Sequence, residues 1–253
     1  DALERGAWRL TSKRVGNALP APVPREIGGG RVRGLAACAA DFPSPKSLVD
    51  AITDAWNFRR LLVGSFGARD EDVVLLVDDL GTRADNLTVP RLRAAIAQLA
   101  AEAGPEDIVF FAYSGHGTEV NGRSSLEPEV RSYEENVLRQ DLDLIRAARV
   151  IVLIDACNSG SLIESLAAPN RWVYASSRVD ESSNASFAGQ PERTGGSLFF
   201  AHLFDELLYR PTTTSINAAF RRAAADVTRL DDDQHPVAYQ PEEFATPPTT
   251  AAR

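Results

Sequence analysis

Two unbroken apolar runs, Ile108-Val-Phe-Phe-Ala-Tyr113 and Val150-Ile-Val-Leu-Ile154, constrain this chain most. Neither alternates with polar residues and both are rich in β-branched and aromatic side chains, so each reads as a strand buried on both faces. Strands of that kind belong to a parallel sheet covered by helices on either side. Each run also ends in glycine punctuation. Ser114-Gly115-His116-Gly117 follows the first, and Asp155-Ala156-Cys157-Asn158-Ser159-Gly160 follows the second. Two parallel neighbours would carry an imidazole and a thiol to one carboxyl edge of the sheet, where open α/β sheets place their sites.

The rest of the chain supports this layering. Further strands are expected over residues 31–40, 72–77 and 171–176. Helical spacing of apolar residues marks helices over 46–62, 89–103, 139–147, 197–209 and 214–230. The expected fold is in the α/β class, a three-layer αβα sandwich around a largely parallel central sheet of about six strands. Residues 1–30, with Pro20, Pro22, Pro24 and the run Gly28-Gly29-Gly30, read as an N-terminal extension or linker. Residues 31–240 read as one domain and 241–253 as a C-terminal tail of turn and linker composition. Thr118–Glu135 reads as a polar insertion, and the Ser- and Gly-rich loop 177–196 as mobile or facing a substrate.

Composition narrows the partners. The net charge of -8 and the lack of a Lys/Arg cluster argue against nucleic acid. No apolar run reaches the roughly 18 residues of a membrane helix. Cys38 and Cys157 make neither a metal spacing nor a disulfide framework, so a reducing cytoplasm is the expected compartment. The chain has 253 residues and no methionine, which reads as a piece of a longer product.

A cysteine attacks as its thiolate, and so needs a partner that takes its proton. His116, between two glycines at a strand end, suits that task. The N–H groups of Gly117 and Cys157 are candidates to point at a developing oxyanion. The implied chemistry is acyl transfer through a thioester, with no metal and no cofactor.

Both motifs resemble those of the caspase-like cysteine peptidases, the group that holds metacaspases, caspases and legumains. They come in that family's order, histidine first, 41 positions apart. Asp54-Ala-Trp-Asn57 looks like an early metacaspase motif, and Val173–Ser183 resembles the wall strand of legumains as much as that of metacaspases. The resemblance implies His116 as general base and acid, and Cys157 as nucleophile. It also implies a substrate-binding pocket lined by Asp155, with Asp54 and Ser114 beside it. Carboxylates in a partly dry pocket select Arg or Lys, so the implied partner is a protein or peptide with a basic residue before the scissile bond. Self-processing after Arg193, in the loop Gln190–Gly196, fits that pocket, and a fused or associated sensor module is a further expectation of the family.

Plainer readings stand beside these. Cys38 reads as a small core hydrophobe, His202 as a packed histidine bonded to backbone, and His235 as exposed. Asp155 has a second reading as a cap of the nucleophile turn, and Asp54 as a solvated helix-face acid. Asp231–Asp233 invites calcium activation, although no spaced ligand loop accompanies it. A non-catalytic caspase-like scaffold or partner-binding module, and an enzyme that resolves the thioester with an amine, are the alternative functions.

Overall fold

The computed structural model describes residues 19–39, 50–77, 87–128 and 132–241. Its centre is the pairing of the two apolar runs. Strand β3 (Ile108–Ser114) lies parallel to β7 (Arg149–Asp155), in register from Ile108↔Arg149 to Ser114↔Asp155. On the other side of β3 runs β1 (Val32–Cys38), followed by the edge strand β2 (Val73–Val77), both parallel to it. Beyond β7 come β8 (Arg171–Ala175), again parallel, and the antiparallel edge strand β9 (Val237–Tyr239). The order β2-β1-β3-β7-β8-β9 makes six strands, five of them parallel, as the buried runs predict.

Side chains leave a strand on alternate faces, and this sheet buries both. Phe110, Ala112, Ile151 and Leu153 point into one core, shared with helices α1 (Asp50–Arg60), α5 (Leu198–Tyr209) and α6 (Ile216–Leu230). Val109, Phe111, Val152 and Ile154 point into the other, under α2 (Val89–Glu102), α3 (Glu135–Leu142) and α4 (Leu162–Leu166). The three-layer sandwich follows. Gly34 of β1 lets α1 sit close, since a Cβ there would overlap Leu62 and press on Phe58.

Several expected elements change. Residues 118–135 are not a bare polar insertion. They contribute to a three-stranded antiparallel sheet, β4 (His116–Val120), β5 (Arg123–Glu127) and β6 (Tyr133–Glu134), because Leu126 and Tyr133 reach the second core and anchor an otherwise polar ribbon. Helix α3 starts at Glu135 instead of Arg139 and stops at Leu142, while Ile145 and Ala147 are buried in the connection that follows. Helix α1 runs on into a π-helical turn, Leu61–Ser65, and the expected start of that helix at residue 46 falls outside the described residues. Strand β9 lies where turn and linker were expected. It is only three residues long and follows Pro236, so it carries almost no periodic signal. The tail from 242 onward lies outside the described residues.

Residues 19–30 run along the domain surface and are fastened to it by Arg25. Its guanidinium donates to the carbonyls of Leu207 (2.5 Å), Glu206 (2.9 Å), Arg210 (2.9 Å) and Thr213. A cation on the orphan carbonyls at the end of α5 complements the helix dipole there.

At the amino edge of the sheet a buried ion network holds three strands together. Arg33 of β1 donates to Asp72 ahead of β2 (2.8 Å) and to Asp107 ahead of β3 (3.0 Å); Arg31 adds a second bond to Asp72 (2.9 Å), and its N–H donates to Asp107 (2.9 Å). Replacing Arg33 removes the guanidinium shared by two buried carboxylates and leaves them their remaining donors. Arg33→Ala is therefore expected to lower unfolding stability by about 3 kcal/mol, at the lower end for broken buried pairs because Arg31 and Arg69 still reach Asp72. Chemical denaturation checks this, and a loss under about 1 kcal/mol would assign the network no structural weight.

Candidate active site

Strand parity builds the site. Ser114 and Asp155 continue the faces of Phe110 and Leu153, so both side chains turn toward α1 and α5 at the carboxyl ends of their strands. There Asp54 of α1 meets them. Ser114 Oγ donates to Asp54 Oδ2 at 2.6 Å, and the N–H of Ser197, at the N-cap of α5, donates to Asp54 Oδ1 at 3.1 Å. Asp155 Oδ2 accepts from Ser197 Oγ (2.5 Å) and from the Phe200 N–H (3.2 Å), and its Oδ1 accepts from Ser183 Oγ (2.5 Å). The first turn of α5 is thus capped by a carboxylate from the central strand.

Asp54 is 1% exposed and Asp155 4%. Burial raises the Asp54 carboxyl well above its ordinary range, and the neighbouring Asp155 charge raises it further against the bonds from Ser114 and Ser197. Burial raises Asp155 too, opposed by the donors on Ser183, Ser197 and Phe200. Asp54 is therefore not the solvated helix-face acid of the plainer reading. Asp155 lines the small hollow beside Ser114 and caps the first turn of α5, not the nucleophile turn of the plainer reading.

Two residues past the paired Ser114 and Asp155 stand His116 and Cys157, both half-buried. The Gly115 N–H donates to the Asp155 carbonyl at 3.1 Å, which ties the two loops together at their roots. Gly117 packs so closely on the nucleophile turn that a Cβ there would overlap the Cys157 carbonyl oxygen. The structure thus brings His116, Gly117 and Cys157 to one strand-tip corner, with Asp155, Asp54 and Ser114 beneath it. Cys38, one strand over, is fully buried, and burial pushes its thiol well up, which fits a core hydrophobe.

The turn after Cys157 is fixed from the loop behind β8. Asn158 adopts φ 58°, its N–H donates to the Glu181 carbonyl (2.8 Å), and its Nδ2 to the Val179 carbonyl (2.7 Å). The hydroxyls of Ser159, Ser176 and Ser177 interlink below it at 3.2–3.3 Å. Ser183 closes the front, its N–H donating to Cys157 Sγ at 3.3 Å. Sequence reasoning left Ser183 and Ser197 out. The helix-start signal at Ser197 was visible, but nothing in the sequence showed that its hydroxyl would turn to Asp155.

The hollow between Asp155, Ser114, Gly115, Ser183 and Ser197 holds about 30 Å³, room for a water or two and not for an arginine side chain. A larger hollow of about 550 Å³ around Asp143 and Arg171 lies at the amino edge of the strands, away from the thiol. Two histidines differ from expectation. His235 is half-buried, with Nδ1 2.7 Å from Glu181 Oε1, because the turn before β9 folds back onto the loop after β8. His202 is buried as expected but is not bonded to backbone; its Nδ1 lies 3.7 Å from Asp226, and its Nε2 has no partner among the described residues. Among the described residues, Asp231–Asp233 is the one acid group whose ligand atoms lie within 4.8 Å of one another, and two of its three members are exposed.

A mostly parallel six-stranded sandwich with a histidine loop and a cysteine turn at adjoining strand tips defines the class of caspase-like cysteine peptidase domains. A sequence profile of the caspase domain family matches residues 33–246, and the chain belongs to that family. It is 28% identical over 138 residues to Metacaspase-1 of Cryptococcus neoformans, covering 48% of this chain and 30% of that protein. It is 30% identical over 138 residues to Metacaspase-1 of Eremothecium gossypii (49% and 30%) and 27% identical over 135 residues to Metacaspase-7 of Arabidopsis thaliana (47% and 32%). The chain spans about a third of the length of these curated relatives. A crystal structure of a protein from Geobacter sulfurreducens superposes with a TM-score of 0.57 at 17% identity, covering 83% of this chain and 93% of that one, a likeness of fold alone.

The paired acids make stability depend on pH. A carboxyl whose folded pKa is raised adds stability that is fully present below its unfolded pKa of about 4 and is lost as pH rises through the folded value. Asp54→Asn removes one such group. The variant is expected to gain melting temperature over wild type at pH 8 relative to the difference at pH 4.5. Calorimetry at the two pH values tests this, and an equal difference at both would remove the assigned coupling.

Proposed function

We propose that this chain is a cysteine endopeptidase that cleaves after Arg or Lys, with Cys157 as nucleophile and His116 as general base and acid. The observation that carries it is the buried pair Asp54 and Asp155 directly behind the thiol. Two desolvated carboxylates with no cation paired to them among the described residues are an arrangement that a guanidinium or ammonium relieves, and the planar guanidinium can meet both. In the proposed sequence the basic side chain enters the acid hollow and replaces the Ser183 hydroxyl at Asp155. The Cys157 thiolate, its proton passed to His116, adds to the scissile carbonyl, and the oxyanion is met by the N–H groups of Gly117 and Cys157. His116 returns the proton to the leaving amine, a thioester remains, and water hydrolyses it with His116 again as base. The reaction needs no metal or cofactor, and a free thiol nucleophile suits a reducing cytoplasm.

Since the hollow holds about 30 Å³, the loop carrying Ser183 must give way before a substrate binds. That makes the described state a resting one, and arginine binding should strengthen as pH rises and the raised carboxyls ionise. Fluorogenic peptides with Arg, Lys, Phe or Asp before the cut test the reading. Wild type is expected to cleave the Arg and Lys peptides at least tenfold faster than the others, Asp155→Asn to lose most of that preference, and Cys157→Ala to be inactive. A wild type without turnover, whose Cys157 also resists an arginyl chloromethyl ketone, would favour the scaffold reading.

Self-processing after Arg193 belongs to the same proposal with a condition attached. The Arg193 guanidinium is paired with the buried Asp205 and lies 4.7 Å from the Tyr209 ring centre. It must leave both to enter the pocket, so processing is expected to be slow. Mass spectrometry of wild type and Cys157→Ala should find a cut after Arg193 that builds up over time only in wild type; a cut in both, or in neither, ends the idea.

A further inference from the structure

The turn Asp231–His235, between α6 and β9, supplies no group to the reaction described above, yet it grips the loop that faces the thiol at three points. Gln234 is fully buried. Its Oε1 accepts from the Asn184 N–H at 3.0 Å, and its Nε2 donates to the Ser176 carbonyl at 3.0 Å and to the Ser183 hydroxyl at 3.1 Å. Both amide hydrogens are therefore committed, and the side chain is a rigid bracket rather than a swinging one. On one flank Asp231 accepts from the Asn184 side-chain amide. On the other, the His235 N–H donates to Glu181 Oε2 at 2.8 Å, and its ring Nδ1 lies 2.7 Å from Oε1. Residues 181, 183 and 184 are each held by one of 235, 234 and 231. What they carry is Ser183, with its hydroxyl on Asp155 and its N–H on Cys157 Sγ.

We propose that Gln234 is a positioning residue of the peptidase site, acting through Ser183 to set the wall of the acid pocket and the donor at the thiol. The inference rests on the reading of Cys157 as nucleophile and Asp155 as pocket acid. The direction of the hydrogen bonds explains the choice of an amide. Ser183 Oγ accepts from Gln234 Nε2 and so has its one proton left for Asp155. When an incoming guanidinium takes that carboxylate oxygen and the Ser183 segment gives way, the buried Gln234 amide still holds the Asn184 N–H and so sets how far the wall can move. Without the bracket, the Ser183 hydroxyl loses its buried donor and the Asn184 N–H its acceptor, and the pocket wall loses the contact that fixes it from behind.

The test compares how fast two chloromethyl ketones, one arginyl and one phenylalanyl, inactivate Cys157 in the whole chain. The variants are Gln234→Ala and, at the more accessible rim, Asp231→Ala, with iodoacetamide as a reagent that uses no pocket. The preference for the arginyl reagent is expected to fall about tenfold in Gln234→Ala and several-fold in Asp231→Ala. In peptide turnover, KM for the arginyl substrate should rise by more than kcat falls. A purely structural Gln234 would slow all three reagents together and leave the ratio unchanged, which overturns the inference. If Gln234→Ala does not fold, an unchanged ratio in Asp231→Ala overturns it equally. A wild type that reacts with iodoacetamide but shows no arginyl preference points to a different failure, that of the pocket reading itself, and the positioning role goes with it.

Discussion

Two carboxylates with almost no access to water, Asp54 and Asp155, sit over the first turn of α5, and the architecture around the thiol is arranged to keep them there. A buried acid is costly unless donors surround it. Here the donors come from four places in the chain: Ser114 on the histidine strand, Ser183 on the loop after β8, and the Ser197 and Phe200 groups that open α5. Satisfying the acids therefore docks α1, α5, β3, β7 and that loop against one another. Even the approach to α5 is constrained, since Gly196 has φ +83° and a Cβ there would overlap the Asp54 carboxylate.

The same arrangement ties the acids to the thiol. Asp155 is two residues from Cys157 on one short segment, and Ser183 touches both, so a cation bound in the acid hollow as proposed would be felt at the sulfur without any long-range relay. Burial raises both carboxyls, and a guanidinium bound there as proposed would oppose that by favouring their charged forms. At the opposite edge of the sheet, Arg33 with Asp72 and Asp107 already forms a closed network. One end of the sheet is held by ion pairs between buried charges and the other by carboxyls bonded to hydroxyls and backbone amides at the loops that carry the thiol.

The strands that carry the site were legible because their apolar runs are continuous and end in glycine. His116 and Cys157 stand out for the same reason, being chemically reactive side chains just past the ends of buried strands. Much less could be seen of what lies between and behind them. The ribbon of β4, β5 and β6 is polar along most of its length and owes its place to Leu126 and Tyr133, two apolar residues too far apart to make a period. Strand β9 is short and borrows its stability from β8. His235 reads as exposed in the sequence and Gln234 carries no signal there; only the folding back of their turn pairs the one and buries the other.

Sequence alone determined the αβα layering and the strand tips at which His116 and Cys157 follow, because burial on both faces and the alternation of side chains are local rules that periodicity expresses directly. Tertiary structure decided that Asp54 is buried rather than solvated, that Asp155 caps α5 while lining the hollow, and that Ser183 walls the hollow with Gln234 bonded behind it. Those outcomes depend on hydrogen bonds between groups 28 to 143 positions apart in the chain. A polar side chain's partner is set by where the fold brings its donor, and no periodicity along the chain records that position.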